Sequence, residues 1–134
     1  MKKMIKIVSG IVLLTAASSA FATKLTCPSI SDIRNKATLE RAAELGDKGA
    51  WGFTSNAFNF DGANWNIIMF AMMPGIGDPG SAVSYAQYFL DKSVLVQPEV
   101  LSTDGTHMTC SYTRDGFKYS VYAETPANFG IYKR

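Results

Sequence analysis

Three Asp-Gly pairs, Asp61-Gly62, Asp104-Gly105 and Asp115-Gly116, each stand between segments of strand character. Such a pair supplies the two left-handed residues of a primed turn, whose twist matches that of the strands it joins. A chain punctuated this way is committed to antiparallel hairpins. With Asp115 and Gly116 as loop residues, Tyr112 faces Tyr119, Cys110 faces Val121 and Met108 faces Ala123 on one side of the sheet. Thr113 with Lys118, Ser111 with Ser120 and His107 with Glu124 fall on the other. One face is apolar and the other polar, as in an antiparallel sheet covered on one side, and a one-residue slip would destroy the separation.

The same reasoning at Asp104-Gly105 sets Leu101 opposite Met108, and Pro98 makes the segment from Val94 to Ser102 a bent or edge strand. Around Asp61-Gly62, residues 51–60 against 63–72 pair Phe58 with Trp65 and Phe53 with Phe70. They also put Asn56 opposite Ile67 and Ala57 opposite Asn66, so a bulge or a longer loop is expected there. Ser29-Ile30-Ser31-Asp32 has the form of a capping box with Asp in place of Glu, and the helix formers up to Leu45 predict one amphipathic helix ending before Gly46. Pro74, Gly75, Gly77, Pro79 and Gly80 predict an irregular connection, with Ser81 capping a second helix through Leu90. The expected fold class is α+β: an antiparallel sheet of about five strands built from hairpins, packed against one or two helices, with one disulfide.

That disulfide follows from where the chain is expected to go. Lys2, Lys3 and Lys6 precede an apolar run from Ile7 to Leu14, and Ala20-Phe21-Ala22 has the small-x-small form of a cleavage site. Residues 1–22 are therefore read as a signal peptide and 23–134 as a single exported domain. The run is shorter than the roughly 20 residues a membrane span needs. Cys27 and Cys110 would meet an oxidising compartment, periplasmic or extracellular, where such a pair closes. Lipidation of Cys27 is disfavoured, since Lys24-Leu25-Thr26 lacks the small residues that a lipidation site carries before its cysteine.

Charge and chemistry narrow the function. The leader holds 3 of the 13 basic residues and none of the 11 acidic ones, which leaves ten positive against eleven negative charges on 112 mature residues. With no basic cluster beyond Lys133-Arg134, nucleic acid is not an expected partner. Gly75-Ile76-Gly77-Asp78-Pro79-Gly80 imitates a dinucleotide fingerprint, with Glu99 standing 19 residues past Gly80, yet antiparallel hairpins do not build the parallel unit that the fingerprint serves. His107 is the sole histidine, so any triad must use it, and it is expected in a surface ion pair with Glu124. Oxidised cysteines leave no thiolate, and one histidine with scattered carboxylates makes a poor metal site; no cofactor and no metal are expected. Asp61, Asp104 and Asp115 are explained as turn residues, Asp78 lies in the glycine loop, and Asp91, Glu99 and Glu124 have no spacing that pairs them for glycoside hydrolysis.

Aromatics are the more suggestive feature. Trp51, Phe53, Phe58, Phe60, Trp65 and Phe70 crowd one hairpin, interleaved with Asn56, Asn59, Asn64 and Asn66. Rings beside side-chain amides suit a contact surface for protein, peptide or sugar, although rings also fill cores. Trp51, Phe58, Asn59, Asn64 and Trp65 are the candidate binding surface, and Gly75, Gly77, Asp78 and Gly80 the candidate binding loop. Tyr85, Tyr88 and Phe89 carry the same ambiguity on the second helix.

Cys27-Pro28-Ser29 just after the leader, tryptophans in the middle and Cys110-Ser111-Tyr112 in a late strand together resemble small exported proteins of uncharacterised function from gamma-proteobacteria. The resemblance implies export, a disulfide and a compact domain. The expected function is a non-enzymatic exported binding module, such as an effector or a hydrolase inhibitor, whose partner is a protein or glycan outside the cytoplasm. The alternative is a small secreted hydrolase using His107 or acidic residues.

Overall fold

The computed structural model describes residues 25–46 and 49–130; the expected signal peptide lies outside the described residues. Helix α1 (Ile30–Lys36) is followed by strands β1 (Leu39–Glu44), β2 (Ala50–Ser55), β3 (Phe58–Phe60) and β4 (Ala63–Met72), then by helix α2 (Pro79–Lys92) and strands β5 (Glu99–Thr103), β6 (Met108–Ser111) and β7 (Tyr119–Thr125). The strands form one open sheet in the order β1-β2-β4-β7-β6-β5, with β3 pairing with β4 beside β2. Every neighbouring pair is antiparallel. The α+β class and the disulfide stand as expected, and the sheet has seven strands rather than about five.

Both extra strands have a physical cause. The first replaces the second half of the expected helix. Ser29 does cap α1, its Oγ accepting from the Asp32 amide at 3.0 Å, but the helix stops at Lys36. Leu39-Glu40-Arg41-Ala42-Ala43-Glu44 consists largely of good helix formers, yet it runs as β1 along the outer edge of β2. Tertiary partners override propensity here. Asn56 Oδ1 accepts the Thr38 amide at 2.7 Å, Gln87 Oε1 accepts the Leu39 amide at 2.7 Å, and the β2 ladder takes most of the rest.

The second extra strand comes from the break expected near Asn56. Asp61 and Gly62 both have positive φ, 52° and 78°, so a primed turn closes β3 directly on β4 with Phe58 opposite Trp65. Beyond Asn56 and Ala57 the register moves by one, and Phe53 faces Met69 rather than Phe70. Ser55 repairs the ladder at that point, its Oγ accepting the Ile67 amide at 2.8 Å. The shift exchanges the faces, so Phe53 and Phe58, five residues apart, both enter the core.

The β6–β7 hairpin keeps its faces and changes its partners, whereas in β5 the expectation fails at Leu101, which a bulge turns to the polar face with Glu99. Cys110 pairs with Ala123 instead of Val121, and Met108 with Thr125 instead of Ala123. Thr103 rather than Leu101 lies opposite Met108. Next to each turn the shift is two residues, because each Asp-Gly pair sits inside a longer loop. Asp115 does not adopt positive φ, so no primed turn forms there; the Arg114 carbonyl instead accepts the Phe117 amide at 3.2 Å. β5 lies at the sheet edge as expected, but it starts at Glu99, just after Pro98, rather than at Val94, and it carries a bulge between Val100 and Ser102.

The helices cover one face. Ala82, Ala86 and Leu90 make a buried stripe along α2, and the two alanines leave room for close approach to the sheet. Beneath lie rows that cross the strands: Phe53, Met69 and Val121 in one, Ile67, Ala123 and Cys110 in another. Full burial of each large apolar side chain contributes about 1.5–3 kcal/mol. Cys27 closes on Cys110 with a Cα–Cα distance of 6.0 Å, fastening the segment before α1 to β6. The buried Tyr112 hydroxyl donates to the neighbouring Pro28 carbonyl, and burial pushes its pKa up. Arg34 ties the helices together, donating to the carbonyls of Leu90 and Ser93 at the C-terminal end of α2. A cation there satisfies otherwise unpaired carbonyls and the negative end of the helix dipole.

Candidate functional site

The hairpin expected to present aromatics buries them. Trp51, Phe58 and Trp65 belong to the core, so only Asn59 and Asn64 of that candidate surface are exposed, directly paired across β3 and β4. A half-buried sheet needs large rings on its core face, and this hairpin supplies most of them. The other two asparagines are structural. Asn56 bridges the α1–β1 junction through the Thr38 amide and the Lys36 carbonyl. Asn66 is fully buried and exchanges two hydrogen bonds with the backbone of Asn128, at 2.8 and 3.0 Å, clasping the segment after β7 against β4.

The candidate glycine loop is exposed, and its acidic residue has a local duty. Asp78 Oδ2 accepts the Ser81 amide at 2.9 Å, so Asp78 rather than Ser81 caps α2, and that bond lowers its pKa. After α2 the chain enters β5 at the far edge of an antiparallel sheet, which is not the βαβ unit of a dinucleotide fold.

His107 does not meet Glu124; the two-residue shift places Thr109 there. Asp104 Oδ1 instead accepts the amides of His107 at 2.7 Å and Thr106 at 3.1 Å, and these bonds hold its pKa down to about 2. Both the Thr106 hydroxyl, at 3.0 Å, and the Asp104 carboxylate, at 3.4 Å, meet Nδ1 of His107. A catalytic triad needs its carboxylate and its nucleophile on opposite ring nitrogens, so this cluster is an exposed turn and not a relay. Among the described residues no group of three or more His, Cys, Asp or Glu is placed to hold a metal ion, and no helix is long and apolar enough to cross a membrane.

The exposed aromatics lie elsewhere, in a strip that bends around the end of the sheet. Tyr85 and Tyr88 are 56% and 62% exposed on the outer side of α2. Phe89 touches both, with ring centroids 6.1 and 6.4 Å away, and stacks on Tyr119 of β7 at 6.0 Å. Tyr119 meets Phe117 of the β6–β7 loop at 5.7 Å. The Tyr119 hydroxyl donates to the carbonyl of Val94, itself 69% exposed, which fixes the strip to the segment after α2.

Phe117 also walls a cleft of about 470 Å³ on the sheet face opposite the helices. Ser111, Ser120 and Tyr122 rise from β6 and β7, Glu99 and Leu101 from β5, and residues 113–117 overhang them. Tyr122 is held edge-on by Phe70 at 6.2 Å, the Ser111 hydroxyl donates to the Thr113 carbonyl, and Thr113 Oγ1 accepts the Val121 amide. Sequence reasoning noted the ambiguity of Tyr85, Tyr88 and Phe89, but missed Phe117, Tyr119 and Tyr122 as site residues. The usable signal was the apolar Phe117 beside an Asp-Gly turn, where polar residues are the norm. Comparison with family models, curated proteins and solved structures returned no match.

Proposed function

We propose that this chain is a non-enzymatic exported binding module that holds a protein partner against the strip formed by Tyr85, Tyr88, Phe89, Tyr119 and Phe117. The observation that carries the reading is the exposure of Tyr85, Tyr88 and Val94 at the end of a continuous run of packed rings. Phe89 and Tyr119 brace the outer rings, so little side-chain freedom remains to be lost on binding. Tyrosine is the residue type that concentrates binding energy in protein interfaces, combining a large apolar face with a hydroxyl. The Cys27–Cys110 disulfide is compatible with an oxidising compartment, so the partner belongs in the periplasm or outside the cell, and a hydrolase held in check is one concrete form of it.

A photo-crosslinking residue in place of Tyr88, with the same residue in place of Asn64 as the control, tests this in the producing cell. Position 88 should give one discrete protein adduct that position 64 does not, and Tyr85→Ser should weaken it. Equal adducts from both positions, or turnover of a substrate that vanishes in a folded His107→Ala variant, would overturn the reading.

A further inference from the structure

We infer that the cleft under the β6–β7 loop is a separate site for one or two units of a neutral saccharide. Its volume of about 470 Å³ lies within the roughly 300–1,000 Å³ of small-ligand pockets. Such pockets are mostly apolar, and this one is not: Glu99, Ser111, Thr113, Arg114, Asp115 and Ser120 line it. The ligand must then offer many hydroxyl groups and little apolar surface. Glu99 and Asp115 accept hydrogen bonds from vicinal hydroxyls, Arg114 and Ser120 donate to ring and hydroxyl oxygens, and Ser111, whose hydroxyl donates to the Thr113 carbonyl, is left as an acceptor.

The apolar part of the lining is equally specific. Leu101, Phe117 and Tyr122 are the large apolar contributors, and the two rings are fixed by neighbours outside the cleft, Tyr119 and Phe70. A rigid ring beside polar groups suits the C–H face of a pyranose, which is apolar although its rim is not. Charge narrows the class further. Two carboxylates against one guanidinium leave the lining net negative, which disfavours uronates and other acidic sugars and admits neutral ones.

The site is independent of the aromatic strip except for Phe117. The Ser111–Thr113 and Thr113–Val121 hydrogen bonds fix the stem of the loop that walls the cleft, which limits the ordering that binding would cost.

The test is a titration of the oxidised mature chain, labelled with nitrogen-15, with chitobiose, cellobiose and maltose into the millimolar range, and digalacturonate as the acidic control. At least one neutral disaccharide should shift the amides of Leu101, Ser111, Phe117, Ser120 and Tyr122, while digalacturonate shifts them less. Glu99→Gln, at an exposed position that the fold does not need, should weaken the binding about tenfold by removing a charged acceptor. Tyr85→Ser, which disables the strip, should leave it unchanged, so failure of the protein-binding reading and failure of this one are told apart. No shift at the cleft with any neutral probe, equal or stronger binding of digalacturonate, or unaltered affinity in Glu99→Gln would overturn the inference.

Discussion

Removing the Cys27–Cys110 cross-link with the double variant C27A/C110A should cost this domain a large share of its stability. The two residues are 83 apart in sequence. Closing a loop of that length removes roughly 15 cal/mol/K of entropy from the unfolded chain, which is about 4.5 kcal/mol at 25 °C. A domain of this size has a total stability of only about 5–15 kcal/mol. Trp51 and Trp65 are both buried, so their fluorescence reports global unfolding in urea. For a small protein with an m-value of about 1–3 kcal/mol/M, the midpoint should fall by roughly 1.5–4.5 M. Cys110 is fully buried, so part of any loss is packing. Comparing oxidised with reduced wild type holds that packing nearly constant and isolates the cross-link. A difference of less than about 1 kcal/mol between oxidised and reduced protein, at unchanged m, would refute the loop-entropy argument.

Other expectations follow from single contacts. Gly49→Ala places a methyl 2.7 Å from Pro74 Cα at φ +83°, whereas Gly46→Ala meets open space at φ +84°. Chemical denaturation should show a loss of about 1–2 kcal/mol at Gly46 from backbone strain and, with overpacking added, about 2–5 kcal/mol at Gly49; equal losses would contradict the packing. Asn66→Ala strands the Asn128 backbone groups and should cost about 1–3 kcal/mol, with faster hydrogen exchange at the Asn128 amide; wild-type exchange there would show that the clasp is idle. Asp104 has a folded pKa below its ordinary 3.8, so its hold on the 104–107 turn is complete above that value and is lost as pH falls through about 2. A carboxyl NMR titration should find the midpoint near 2, and a midpoint at 3.8 or above would remove the turn's stated cause.

What the sequence made legible was facing, more than partnering. Side-chain alternation has period two, so Met108, Cys110, Tyr112, Val121 and Ala123 belong to the core face whether the loop holds two residues or is lengthened by two. The partners depended on turn geometry, and Asp115 outside the left-handed region made Asp-Gly a poor guide to loop length there. Residues 39–44 misled for a different reason: their composition favours a helix, and the groups that pull them into β1, on Asn56, Gln87 and β2, lie 7 to 48 residues away. Propensity is local and those partners are not.

The site was displaced by a competition that a single sequence does not display. Fifteen aromatic residues follow the expected leader, and among the described residues five, Trp51, Phe53, Phe58, Trp65 and Tyr112, are buried while the rest remain partly or wholly outside. The sheet decides which. Strands β2, β3 and β4 direct Trp51, Phe53, Phe58 and Trp65 at the helices, where they complete the core together with Tyr112 of the β6–β7 hairpin. Once those positions are filled, the outer side of α2 and the lengthened β6–β7 loop are where Tyr85, Tyr88 and Phe117 are left. The same two-residue lengthening that defeated the simple hairpin register creates the overhang at residues 113–117. It brings Phe117 against Tyr119 on one side and over the polar cleft on the other. The departure from the ideal turn and the cleft are therefore one structural fact, which Phe117 joins to the strip. Shortening the loop to a two-residue primed turn should tighten the hairpin and abolish the cleft while removing only the Phe117 end of the strip, whereas substitutions confined to α2 should affect the strip alone and those in β5 the cleft alone.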